Sequence, residues 1–155
     1  MADTPAHRSK LFKGLAEDLG FDMIGIAPAI SPPGFGSFLH RLAEARSHPE
    51  SVLPGVRSVV MVGLSYKPRE PEAPASGRFG KVARYARGRD YHKVLWKRLG
   101  TLKERMEAQF PGCQARAIAD TAPLLERDFA RLAGLGWIAK NTMLIHRGIG
   151  SYTVL

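Results

Sequence analysis

The sequence predicts an α+β fold, a central β-sheet flanked by helices, from three observations. Residues 56–66, VRSVVMVGLSY, are a nearly unbroken apolar and β-branched run, as in a strand covered on both faces. Residues 90–110 place Tyr91, Val94, Leu95, Leu99, Leu102 and Met106 at helical spacing behind Asp90, a good N-cap. The length of 155 residues and an apolar content of 45% suit a single domain over 1–155 with one core.

In chain order, Ser9 to Leu19 carries Leu11, Phe12, Leu15, Ala16 and Leu19 at helical spacing, with Gly20 as a stop. FDMIGIAPA then reads as a short buried strand ending at Pro28, and SPPGFGS as a loop. Phe38, Leu39, Leu42 and Ala45 predict a second helix ending near Arg46; His40 and His48, in or beside it, have no metal-ligand partners at useful spacing. The strand over 56–66 is the central one, with Arg57 at its entrance and Ser65 and Tyr66 at its exit, rims of a pocket. Lys67 to Gly80, rich in Pro, Ala, Gly and charge, reads as a loop. The long helix follows, with Lys93, Lys97, Lys103 and Arg105 as its basic side. Gly100 weakens it by about 1 kcal/mol relative to Ala, which close packing there would explain. His92, in the first turn, reads as a surface or packing residue. The chain then turns at Pro111 and Gly112 into an apolar strand that delivers Asp120.

The net charge of +9 is regional: between Lys67 and Arg105 there are 12 Lys/Arg against 4 Asp/Glu. Within this segment Arg84, Arg87 and Arg89 alternate with Tyr85 and Tyr91. Guanidinium groups bind phosphates bidentately and aromatic rings offer stacking faces, so the spacing suits a nucleic acid, or equally another phosphate-bearing ligand. A solvated basic face without a partner is the plain alternative. Cys113 is the single cysteine, so neither an internal disulfide nor a four-thiolate cluster can be built from this chain. No apolar run approaches the roughly 20 residues of a membrane span and the N-terminus lacks a secretory core, which predicts a cytoplasmic location.

Residues 117–146, AIADTAPLLERDFARLAGLGWIAKNTMLIH, read as a site. Asp120 stands at a strand-to-helix junction, and Pro123 suits the first helical turn. The helix puts Leu124, Leu125, Phe129 and Leu132 on one side and Glu126, Arg127, Asp128 and Arg131 largely on the other, with Gly134 ending it. A carboxyl at Asp120 enclosed by Leu124, Leu135 and Trp137 would be raised by desolvation and could hold a proton near neutral pH. Alternatively Asp120 caps the helix, which would lower it. Lys140 offers a cation to an anionic or amide partner, or forms a surface ion pair.

DTAPLLER, followed by AGLGWIAKNTMLI and GSY, with ARYARGRDYHKVL upstream, closely resembles the epoxyqueuosine reductases, cobalamin-dependent iron–sulfur enzymes of queuosine synthesis in tRNA. The resemblance runs from about Leu11 to Leu155. Ala139 stands where the pattern has glycine, and GSYTVL is a segment that in the family runs on into the cluster-binding half. The resemblance implies a nitroreductase-like cobalamin-binding scaffold, truncated before the ferredoxin-like half, with the iron–sulfur domain absent from this chain. It implies reduction of epoxyqueuosine to queuosine at the wobble position of tRNA, the final step of queuosine biosynthesis, with cobalamin and with Asp120 as proton donor. Cofactor contacts would fall on Arg57, Ala83, Asp120, Lys140, Leu144 and Leu155, and substrate or tRNA contacts on Tyr66, Arg84, Tyr85, Arg87 and Arg89. No metal ligand lies in this chain; two [4Fe-4S] clusters belong to the full-length protein, so the fragment alone would be inactive. Partners would be tRNA and an external electron donor, with no membrane and a monomeric chain. No Asp-x-His-x-x-Gly pattern suggests histidine ligation of cobalt. Two other readings are a flavin-dependent oxidoreductase of nitroreductase type, marked by copurifying yellow flavin, and a non-catalytic tRNA-binding module.

Overall fold

Two runs with a period of two build the sheet against which the helices pack. In the computed structural model, which describes residues 4–32, 48–67, 82–87, 89–120 and 124–155, β1 (Met23–Pro28) lies antiparallel to β2 (Ser58–Ser65), from Met23 opposite Gly63 to Pro28 opposite Ser58. A third strand, β5 (Thr153–Val154), pairs with Leu64 and Ser65 on the other edge, so β2 is the middle strand, as its apolar run predicts. Successive side chains alternate between faces. Ile24, Val60, Val62 and Leu64 belong to one cluster, and Met23, Ala27, Val59 and Met61 to the other.

The first face is covered by α1 (Pro5–Asp18) and α2 (Tyr91–Gln109), through Ala16, Leu95, Leu102 and Met106. The second is covered by α3 (Glu126–Leu132) and a small hairpin of β3 (Trp137–Ile138) and β4 (Leu144–Ile145), through Phe129, Ala130, Leu135 and Leu144. Helix α3 comes so close to the sheet at Gly25 that a Cβ there would stand 2.6 Å from the Ala133 carbonyl oxygen. The architecture is thus mixed α/β, a small antiparallel sheet with helices on both faces. Among the described residues no helix is long and apolar enough to cross a membrane.

The first helix and the long helix form as expected. Helix α1 begins one turn before Ser9, because the Thr4 hydroxyl accepts from the His7 amide at 3.2 Å and Pro5 fits the first turn. It ends where Gly20 takes φ 76°. Helix α2 is capped by Asp90, whose carboxylate accepts from the His92 amide at 3.0 Å. Gly100 does not mark close packing: a Cβ there meets nothing within 4 Å. Gly100→Ala is therefore expected to stabilise the chain by about 1 kcal/mol by removing glycine's unfolded-state freedom; an unchanged or lower urea midpoint would contradict it.

Three further expectations are corrected. The segment from Cys113 to Ile118 is no strand: the Ala115 amide is taken by the Glu107 carboxylate at 3.0 Å, and the Asp120 amide by Glu126 at 3.2 Å, in place of ladder partners. Helix α3 starts at Glu126, so Leu124 and Leu125 precede it, and no side chain caps it. Asp128, placed on the polar side by spacing, is only 7% exposed; it lies 3.6 Å from Arg131, one turn on, and burial raises its carboxyl. Ala133 caps the helix and Gly134 leaves it at φ 76°, as expected. The helix expected over 38–46, with His40, and Pro123 lie outside the described residues, as does the loop expected over 67–80 apart from Lys67.

Candidate active site

The N-terminus of α2 and the segment entering α3 meet at Asp120. Its backbone takes φ 55°, a left-handed conformation that an Asp adopts more readily than most residues but still at some strain. The carboxylate does not cap α3. Its Oδ2 lies 3.1 Å from His92 Nε2, and the Tyr91 hydroxyl donates to it at 3.5 Å. His92 Nδ1 in turn lies 3.0 Å from Asp90 Oδ1. One imidazole thus bridges the capping carboxylate and Asp120, with the Tyr91 ring stacked on it at a centroid distance of 4.0 Å. The enclosure expected from Leu124, Leu135 and Trp137 is absent: the Asp120 side chain is 48% exposed and Trp137 is 49% exposed.

The electrostatics follow the contacts. Hydrogen bonds from His92 hold the Asp90 carboxyl below the usual carboxylate range. Partial burial raises the Tyr91 phenol, and the Asp120 charge raises it further. Glu126, whose Oε1 accepts from the Asp120 amide, is raised by its own burial; that hydrogen bond opposes the shift and the Asp120 charge adds to it. Glu126 also lines a cavity of about 620 Å³, whose wall includes Arg57, Val59, Met61, Leu124 and Leu155. Asp120 is therefore joined to that cavity through the residue that anchors its own amide.

A second group lies along the exit of β2. The Tyr66 amide donates to the Tyr152 carbonyl at 2.9 Å and the Tyr66 hydroxyl to the Ser151 carbonyl at 3.4 Å. The two rings meet edge to face at 5.7 Å, and the Arg84 guanidinium stands 5.9 Å from the Tyr152 ring centre. Burial raises the Tyr66 phenol, and the neighbouring Tyr152 and then Tyr85 raise it further.

A family model described as epoxyqueuosine reductase QueG, DUF1730, matches residues 46–121. An epoxyqueuosine reductase of Gloeobacter violaceus is 41% identical over 100% of this chain and 51% of its own length; one of Pseudomonas aeruginosa is 36% identical over 97% and 46%. A crystal structure of epoxyqueuosine reductase with an epoxyqueuosine-modified tRNA stem loop superposes with a TM-score of 0.85 at 28% identity, covering 96% of this chain and 44% of that one. The chain belongs to the epoxyqueuosine reductase family. It spans about half the length of the curated relatives it matches, their N-terminal half. Another solved epoxyqueuosine reductase, from Bacillus subtilis, matches with a TM-score of 0.83 at 27% identity over 96% of this chain and 43% of that one, and has its catalytic aspartate loop swung out of the active site.

The positions that the epoxyqueuosine reductase pattern assigns to the cofactor are only partly brought together. Arg57 and Leu155 line the cavity, and Asp120 adjoins it through Glu126. Ala83 is exposed at the start of a 3-10 turn over Arg84–Ala86, Lys140 is exposed after β3, and Leu144 is buried in the second cluster, where only its backbone could reach a ligand. Tyr66 is half-buried, while Tyr85, Arg87 and Arg89 are exposed; Arg87 Nε donates to the Val82 carbonyl at 2.7 Å. Among the described residues no cluster of His, Cys, Asp and Glu could hold a metal ion. Sequence reasoning missed His92 and Glu126. The signal for His92 was its place two residues after a capping Asp; nothing short of the fold brings it to Asp120.

Proposed function

We propose that this chain is the cobalamin-binding part of an epoxyqueuosine reductase, built on a nitroreductase-like scaffold and acting in the cytoplasm on the wobble base of tRNA. The observation that carries the reading is Asp120, held in a left-handed turn with a half-exposed carboxylate, its amide anchored by Glu126 on the wall of a cavity. Converting an epoxide to an alkene consumes two electrons and two protons and releases water, so a proton donor is needed at the departing oxygen. Asp120 is that donor. Supporting this role, its carboxylate is accessible and is oriented by His92 and Tyr91 rather than spent on a helix cap.

The cavity suits the rim of a corrin. Its apolar wall of Val59, Met61, Leu124 and Leu155 matches a macrocycle edge, and Arg57 matches the amide or phosphate groups such a ring carries. Arg57, Leu155 and the backbone near Ala83 and Leu144 would hold the group, with Lys140 as a further cation. A bound cobalamin supplies the reducing cobalt centre that no side chain can provide. Arg84, Tyr85, Arg87 and Arg89 offer guanidinium and ring faces to tRNA, a partner supported by the stem-loop complex of the related structure. The two [4Fe-4S] clusters and the docking of an external electron donor belong to the other half of a full-length enzyme, because Cys113 is the single thiol here. Titrating cobalamin into the purified chain is expected to change the visible spectrum on binding; an unaltered spectrum overturns the assignment.

A further inference from the structure

We propose that Asp90 and His92 form a proton-supply pair for Asp120, His92 storing the proton at Nε2 and Asp90 fixing the ring so that Nε2 faces the Asp120 carboxylate. The proposal deepens the reading of Asp120 as donor and rests on it. Asp120 stands half-exposed and in direct contact with His92 rather than in an apolar enclosure, so a neighbour is placed to refill the proton it delivers. Among the described residues the side-chain partners of the Asp120 carboxylate are the Tyr91 hydroxyl and the His92 imidazole, and of these an imidazole is the group that exchanges protons near neutral pH. Its Nε2 stands 3.1 Å from Asp120 Oδ2, while its Nδ1 is 3.0 Å from Asp90 Oδ1.

The proton path closes without any further reactant. With the pair charged, the proton sits on Nε2 and Asp120 is a carboxylate. Transfer from Nε2 to Oδ2 gives neutral imidazole and a carboxylic acid; the acid then donates to the departing oxygen and returns to carboxylate. The His92 ring is 44% exposed and regains a proton from water. The Nδ1–H stays hydrogen-bonded to Asp90 throughout, and the Tyr91 ring stacks on the imidazole. Among the described residues the other charged or titratable groups facing the pair are the Tyr91 hydroxyl and Lys93 on α2, Tyr85 from the 3-10 turn, and Glu126 behind the Asp120 amide.

The tautomer of His92 tests the pair without cofactor or turnover. Nitrogen-15 imidazole spectra of the chain, with His92 assigned by loss of its signal in His92→Gln, are expected to show the neutral ring protonated at Nδ1. In Asp90→Ser, which keeps an N-cap but is too short to reach the ring, the Nδ1–H form is expected to become the minority. A wild-type ring protonated at Nε2, or an unchanged tautomer in Asp90→Ser, overturns the pair. In a full-length enzyme carrying this chain, His92→Gln is expected to lower kcat by about tenfold or more with KM unchanged, and to abolish the fall of kcat at alkaline pH; a wild-type pH profile overturns the relay. Full turnover by Asp120→Asn instead overturns the donor assignment itself, so the two failures are told apart.

Discussion

Replacing Asp120 with Asn in a full-length enzyme that carries this chain lowers turnover by about a hundredfold or more, while cobalamin binding to the chain persists. The magnitude is that of removing a positioned general acid, typically 10²–10⁴. Asn is the substitution that isolates the chemistry. It matches Asp in size and, like Asp, is among the few residues that enter the left-handed region readily, so the backbone at φ 55° is kept. Its amide can still meet Tyr91, but it can neither accept a proton from His92 nor deliver one. Asp120→Ala would confuse this loss with backbone strain. The measurement is queuosine formation from an epoxyqueuosine-containing tRNA stem loop under single-turnover conditions. A loss smaller than about tenfold would remove Asp120 from the donor role.

Phe129→Ala is expected to destabilise the chain by about 3–5 kcal/mol, the range for emptying a buried aromatic site. Phe129 is 0% exposed, on α3, and packs in the cluster that includes Met23, Met61, Leu135 and Leu144. Helix α3 has only seven residues and no side-chain cap, so it depends on this burial rather than on its own helical propensity. The ring also borders the cavity at Glu126, so its loss is expected to weaken cobalamin binding as well. Urea unfolding of the chain reads the first effect, and a loss under about 1.5 kcal/mol would show that α3 is held in another way. Trp137, larger but 49% exposed, is the control: Trp137→Ala is expected to cost no more than about 1 kcal/mol.

Much of the fold was legible because its signals are local. The alternation along β1 and β2 separates Ile24, Val60 and Val62 from Met23, Val59 and Met61, and the spacing of Leu95, Leu102 and Met106 marks the buried stripe of α2. The run before Asp120 misled because an apolar composition does not say whether backbone amides will find a neighbouring strand. Here two of them find the carboxylates of Glu107 and Glu126 instead. Asp128 misled in the same way, since a charge with an arginine one turn away can be buried where spacing alone puts it in water. At the site, the importance of Asp120 was readable from its motif, but its left-handed turn and its contact with a histidine 28 positions earlier exist only once both faces of the sheet are covered.

That contact spans two layers. His92 belongs to the helices on one side of the sheet, whereas Asp120 leads through Glu126 into the helix on the other. A hydrogen bond of 3.1 Å loses most of its strength when stretched by about half an ångström, a displacement the packed core hardly registers. The imidazole–carboxylate separation therefore works as a strain gauge between the two covers, and a remote substitution that tilts either cover will reach the chemistry before it reaches the melting curve.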